Sequence, residues 1–484
     1  PARIRARLTV DGTQLPDTSW QGWGSDKTRR IAVAFNASGY RTGVYPYSLE
    51  VAAVAADGTT TVLPASRTGR MIIVNRSASP FGAGWWLSGV EQVFPVADTL
   101  KLWVGGDGSA RLYHGTSAAG PWTADPYDGV DVLTQGAGGT GYVRELPGGA
   151  KVHFGGTGYH VRTESALGHV TQFVWLSEGT PEEMRLKQVI LPSATGHPET
   201  LGYLFEYGTT GPGCTTTTTG LSRVRAPAEP SGYQDTWLCG DALRRVTRIG
   251  DPAPATTFVT FGYYQTTRWM TRRTDRSGVA QTLGYSKVRF QSATQPLSAG
   301  VSATTTVTAA QTLGMNGVSA NPDSVQVVYN GPRTDVCDCT WWRVDRWGAP
   351  ISMRNSLGHV TTVRRNDGRF PGLVTETVAP NGFRTTAQYD ALGYLASTTA
   401  WTPYENDTRN ATTVYEWDAA AAAPARVVSP EGEVTTTGYT GGQRVWEQVG
   451  PDAGRRVEYR YYAATDPVAP GLLRAVEAPY LAKD

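Results

Sequence analysis

The chain has 484 residues, of which 56 are glycine and 30 proline, with 18% charged and 40% hydrophobic residues and a formal net charge of +2. Its aromatic content is mostly 23 tyrosines and 15 tryptophans, methionine is scarce at 5, and threonine is abundant. β-Branched and aromatic residues suit a pleated, half-buried surface while Gly and Pro punctuate turns, so the mixture excludes a coiled coil, a collagen, a helical membrane bundle and a disordered chain.

Residues 1–76 read as a small β-sandwich of the immunoglobulin or fibronectin kind. Ile4-Arg5-Ala6-Arg7-Leu8-Thr9-Val10 alternates apolar and polar residues before an Asp11-Gly12 turn, and Arg30–Phe35, Tyr45–Val51, Thr59–Leu63 and Gly69–Val74 supply further short strands. Ser79-Pro80-Phe81-Gly82-Ala83-Gly84-Trp85-Trp86-Leu87 follows. Pro80, Gly82 and Gly84 force a bend there. The indoles of Trp85 and Trp86 are expected to plug the junction between sandwich and the remainder, with a sugar-stacking platform as the functional alternative.

From 77 to 484 one pattern recurs: an apolar strand, a turn with Gly, a Thr-rich strand, an aromatic residue. Leu167-Gly168-His169-Val170-Thr171 returns almost unchanged as Leu357-Gly358-His359-Val360-Thr361. Pro380-Asn381-Gly382 turns into Thr385-Thr386-Ala387-Gln388-Tyr389-Asp390 and then Leu392-Gly393-Tyr394-Leu395; Gly432 and Gly454 mark later turns of the same kind. Their spacing gives a period of roughly 20–25 residues, two strands each, so every unit is a hairpin. A single hairpin buries no face of its own. Neighbouring units are therefore expected to pair edge to edge into a continuous, twisting sheet that coils around a space.

Tyr389-Asp390-Ala391-Leu392-Gly393-Tyr394-Leu395 resembles the signature of the tyrosine-aspartate (YD) or rearrangement-hotspot (Rhs) repeat family. Ser79-Pro80-Phe81-Gly82-Ala83-Gly84-Trp85 resembles the opening motif of its bacterial members. The resemblance covers 75–484 and is degenerate between about 210 and 350. It implies an all-β chain whose N-terminal β-sandwich is followed by a hairpin array wound into a hollow shell. In that family bacterial shells enclose a C-terminal toxin, as do those of insecticidal toxin complexes, while teneurins use a similar shell in adhesion. The proline-leucine-glycine core with chain-cutting aspartates found in cargo-releasing members has no counterpart here. The ends fall in mid-pattern, so a piece of a larger polypeptide is expected.

Catalytic chemistry finds little support. His169 and His359 occupy equivalent repeat positions, which repetition explains. His153 and His160 could face each other across a hairpin as a zinc pair but lack a third ligand. Glu182-Glu183, a minimal carboxylate pair for glycoside hydrolysis, are adjacent and so point to opposite sides of an extended chain. Cys214 and Cys239 bracket a Gly/Thr-rich insertion that a disulfide would staple. Cys337-Asp338-Cys339 is either a metal-binding C-x-C or a pair of structural cysteines.

The expectation is a non-catalytic shell wall without cofactor or metal, secreted or at the cell surface, enclosing a toxin-like cargo that is the remainder of its own polypeptide. The alternative is an adhesin or self-assembling appendage whose outer face or open edges bind other copies, a receptor or a glycan. Charges are interspersed and no apolar stretch is long enough to span a bilayer, so neither nucleic acid nor a membrane span is expected.

Overall fold

The computed structural model describes residues 1–22, 33–64, 66–125, 131–166, 168–176, 184–192, 202–212, 214, 220–228, 232–251, 258–286, 289–298, 300–308, 324–333, 335–345, 348–401, 410–463, 466 and 471–478. The strands fall into two antiparallel sheets. The first grows from β1 (Arg3–Val10), whose alternation buries Ile4, Ala6, Leu8 and Val10 on one face. β2 (Thr13–Gln14) and β3 (Thr18–Gln21) pair along one edge of β1, and β4 (Gly43–Val54) along the other. β4 also carries β5 (Thr60–Val62) near its C-terminal end and β6 (Arg67–Ile73) near its start. The described strands of this unit share one hydrogen-bonded sheet, in which the 12-residue β4 holds β6 along its first half and β5 along its second. Of the expected strand Arg30–Phe35, residues 33–35 join no ladder, and Arg30, Ile31 and Ala32 lie outside the described residues.

The second sheet opens with β7 (Gln92–Ala97), β8 (Leu100–Val104), β9 (Ala110–Gly115), β10 (Trp122–Ala124), β11 (Val132–Gln135), β12 (Tyr142–Glu145), β13 (Lys151–Phe154) and β14 (His160–Glu164). It continues to Leu473–Glu477, each strand pairing with its sequence neighbours. The first eight strands curl on themselves. A Gln92–Tyr159 bridge and a 2.8 Å bond from the Val93 N–H to the Gly158 carbonyl bring the start of β7 against the β13–β14 turn. The barrel so formed is filled by Val93, Trp103, Tyr113, Trp122, Leu133, Val152 and Phe154. Beyond it the sheet unrolls, and among the described residues after Phe370 no side chain is fully buried. Among the described residues, such a stretch is a single layer without a second layer packed on it.

The sheet also returns on itself. A Cβ added to Gly148 in the β12–β13 turn would lie 3.6 Å from the Ala422 methyl, one on Gly149 3.8 Å from the Ala420 carbonyl oxygen, and one on Gly471 3.0 Å from His169 Nε2. Turns from the last hairpins thus rest on turns from the first ones.

The repeat signature has a mechanical meaning. Asp390 Oδ1 accepts the N–H groups of Leu392 (2.8 Å) and Tyr394 (2.9 Å), closing a tight turn in which Gly393 takes φ 84°. Asp275 and Asn355 close their turns in the same way. Tyr389 sits at a β-bulge, which re-aims its ring. Its hydroxyl donates to the Val374 carbonyl at 2.7 Å, tying this hairpin to the preceding one. Tyr263, Tyr285, Tyr439 and Tyr461 do the same to Val246, Met270, Pro424 and Arg444. Each of these tyrosines likewise follows a register shift. The repeat is therefore a turn lock followed by a rivet.

Tyr389→Phe removes one such rivet, a loss of about 1 kcal/mol. Gly393→Ala forces a side chain into left-handed backbone against the Phe370 ring, 3.3 Å away, at about 1–2 kcal/mol. Hydrogen exchange should show faster opening of strands 384–389 and 395–401 in both variants. Gly368→Ala, where an added Cβ meets nothing, should leave exchange unchanged.

Candidate functional surface: two unlike faces of one sheet

Following the registers from strand to strand separates the sheet into two faces. One carries Arg223, Trp237, Trp341, Arg354, Arg364, Glu376, Arg384, Trp401, Glu416, Arg426, Trp446 and Arg456. Here guanidinium groups cover indoles at 4.9 Å (Arg223 on Trp237), 4.1 Å (Arg354 on Trp341), 4.6 Å (Arg384 on Trp401) and 4.3 Å (Arg456 on Trp446). Ion pairs join Arg364 to Glu376 (3.0 Å) and Arg426 to Glu416 (2.6 Å). Such pairs shield aromatic surface while leaving the charge in contact with water.

The opposite face is apolar in the first half of the sheet. Phe173, Val189, Phe205, Val224, Ile249 and Phe261 gather there around buried Leu186, Leu221, Leu238 and Val246. The junction segment lies on this face. The Pro80 carbonyl accepts the Leu221 N–H at 2.7 Å, the Ala83 N–H donates to the Arg244 carbonyl at 2.7 Å, and Arg244 Nη2 donates to the Ser79 carbonyl at 3.1 Å. Phe81 meets Trp86 edge to face at 5.0 Å, Trp85 Nε1 donates to the Tyr263 hydroxyl (3.1 Å), and Trp86 Nε1 to the Val90 carbonyl (2.9 Å). A Cβ at Gly82 would come within 2.6 Å of Val246, which explains that glycine; the Gly84 position abuts Arg268. Trp85 and Trp86 are packed plugs with satisfied N–H groups, and present no open sugar platform.

In the later strands the same face carries Thr361, Val363, Thr377, Thr385, Ala387, Thr398, Ala400, Ala411, Thr413, Val427 and Thr435, with Met353, Tyr415 and Glu447 as its larger members. Small hydroxyl and methyl groups dominate, and nothing described covers them as the junction covers the first half.

Inside the small barrel lies a charged cluster that no periodicity announces. Arg144 donates to Asp131 (2.9 Å) and Glu91 (2.6 Å), Trp103 Nε1 donates to Glu91 (2.8 Å), and the Tyr113 hydroxyl bonds Asp131. Burial opposes the Asp131 carboxylate, yet the Tyr113 and Arg144 bonds and the Arg111 cation together hold its pKa below the ordinary range. At the seam, the Glu91 N–H lies 3.4 Å from His160 Nδ1, and His160 Nε2 is 2.7 Å from the Thr163 hydroxyl. Burial, and then the nearby Arg144 cation, push His160 down to about 4. The cluster escaped sequence reasoning because its members come from separate strands and loops.

The remaining expected sites are placed as follows. Cys214 and Cys239 are bonded, with Cα atoms 5.2 Å apart. Cys337 and Cys339 are bonded to each other, which overturns the C-x-C metal reading because the lone pairs a metal needs belong to thiolates. His153 does not pair with His160: it lies by Arg162 (3.0 Å) and Glu164 (3.4 Å), while His160 faces the barrel seam. Gly168, Gly358, Gly382 and Gly432 hold left-handed turn positions like Gly393. Gly454 sits in a short 3-10 turn, its N–H donating to Asp452 at 2.8 Å. His169 rests against Gly471, and the His359 N–H is held by Asn355. Leu167, Glu182 and Glu183 lie outside the described residues. Among the described residues no three His, Cys, Asp or Glu side chains are grouped to hold a metal ion.

No protein-family model matches the chain, and no curated protein matches it significantly. Comparison with solved structures finds toxin-complex proteins. The Photorhabdus luminescens Tc holotoxin pore aligns over 91% of this chain with 11% identity and a TM-score of 0.40. TcdB2-TccC3-TEV aligns over 90% with 10% identity and a TM-score of 0.35, and TcdB2-TccC3-Cdc42 over 86% with 12% and 0.33. The chain spans 23% of the first of those chains and 25% of the other two. The all-β class and the long antiparallel sheet stand on the strand pairings themselves.

His160 is neutral in the fold and takes up a proton on unfolding below its ordinary pKa, so stability falls as pH drops from about 6.5 toward 4. The loss between about pH 7 and about pH 5 should be about 2 kcal/mol. Denaturant titrations should show that slope in the native sequence and a flatter one in His160→Gln. Equal slopes would remove His160 as its cause.

Proposed function

We propose that this protein is a non-catalytic wall segment of a hollow β-shell, exported or displayed at the cell surface, that encloses a polypeptide belonging to the remainder of its own chain. The observation that carries this reading is the asymmetry of the single-layer sheet. One face is armoured with Arg–aromatic and Arg–carboxylate pairs, and the other changes from a plugged apolar surface to an uncovered one of Thr, Ala and Val. A wall that confines a chain without fixing it needs an inner surface free of deep pockets and strong anchors, and small hydroxyl and methyl groups provide that. Strands paired on both sides leave few edges for a protease or another chain to engage. The contacts of His169 with Gly471 and of Gly148 with Ala422 support winding of the wall over itself. The repeat signature at Tyr389-Asp390 and Leu392-Gly393 supports the same reading through the resemblance it carries. Enzymatic activity forms no part of the proposal.

Cryo-electron microscopy of the native full-length particle tests it. A closed hollow body with diffuse density inside, whose contents resist a protease that digests them after denaturation, is the expected result. Open filaments formed through sheet edges, or a wall empty in every particle, would replace the cargo reading with that of an adhesive or self-assembling appendage.

A further inference from the structure

The two disulfides differ in the length of the loop they close and in the exposure of their cysteines. Cys214–Cys239 spans 25 residues, and Cys239 lies buried in a strand beside the Leu238 core. Cys337–Cys339 spans only 2, so it closes almost no loop and gains little from restricting the unfolded chain. Its two residues are also unlike: Cys339 is 6% exposed at the start of a strand, whereas Cys337 is exposed beside a half-exposed Val336. Cys337 opens onto a shallow groove lined by Ser302, Thr304, Thr306, Asn330 and Arg333. Charge around it is unbalanced. Arg333 pairs with Asp335 at 2.6 Å, and Asp338, between the two cysteines, adds a second carboxylate to that single guanidinium.

We propose that Cys337–Cys339 is a thiol-exchange site on the wall, with Cys337 the sulfur attacked by a small-molecule thiol and Cys339 the resolving thiol. An incoming thiolate attacks Cys337 Sγ, the Cys337–Cys339 bond breaks, and Cys339 leaves as a thiolate that takes a proton from water. Cys339 can then attack the mixed disulfide, expelling the small thiol and restoring the bond. Alternatively a second thiolate attacks the small thiol's sulfur, releases it as its own disulfide and leaves Cys337 reduced; two small thiols supply the two electrons. The direction follows from access, since Cys337 is exposed and Cys339 is buried. The extra carboxylate repels anionic thiols, so a cationic thiol such as cysteamine should exchange faster than glutathione, the difference shrinking with added salt.

The test uses the full chain purified under oxidising conditions, exposed to graded cysteamine or glutathione, alkylated and mapped by mass spectrometry. Cys337 and Cys339 should become labelled at reductant concentrations about tenfold lower than Cys214 and Cys239 need. Cys339→Ser treated with cystamine, the disulfide of cysteamine, should retain one cysteamine on Cys337 while the other leaves as a thiol, and Asp338→Asn should narrow the gap between the two thiols. Opening of both disulfides together, or labelling of Cys337 and Cys339 before any reductant is added, would overturn the proposal. The labelling gradient of the unaltered protein decides it even where a variant fails to fold.

Discussion

An isolated β-hairpin leaves hydrogen-bonding groups unpaired along both edges and an apolar face without cover, and everything else in this molecule follows from how that deficit is met. The edges are met by the next hairpin, strand after strand, as far as Leu473–Glu477. The turn carboxylate at Asp390 and the left-handed Gly393 hold each hairpin shut, and the Tyr389 hydroxyl reaches back to its predecessor. Because the same bonds recur at Tyr263, Tyr285, Tyr439 and Tyr461, the array is stabilised by many small, local increments rather than by one large core.

An array of this kind still needs a start. The small barrel supplies it, with a packed interior and a charged cluster in which Arg144 joins Glu91 to Asp131. Buried charges of this sort add little net stability, but each partner becomes costly to remove once the others are in place. The cluster therefore ties the chain ahead of β7, β12 and the chain ahead of β11 together at the point where the sheet first closes. The junction from Ser79 to Leu87 does comparable work one step later, filling the apolar face that the widening sheet would otherwise expose.

Much of this was legible in the residues. Alternation at Arg3–Val10, the two Leu-Gly-His-Val-Thr copies and the Tyr389-Asp390 signature pointed to strands, to a repeat and to hairpins, and the glycines beside Trp85 pointed to close packing. These features are local: each depends on neighbours within one turn or one strand pair. The bond between Cys337 and Cys339 and the parting of His153 from His160 were not legible, because each depends on where a side chain lies in three dimensions.

The amino-acid order by itself determined the all-β class, the hairpin repeat and the residues that lock its turns, since these rest on backbone preference and short-range hydrogen bonds. Only the tertiary structure decided which face of the sheet is armoured and which is plain, which turns meet as the sheet winds back, and which ionisable groups are sealed in the barrel. Those properties arise from twist and register accumulated over many strands. A small change in either would move every later side chain, so no short stretch of sequence contains them.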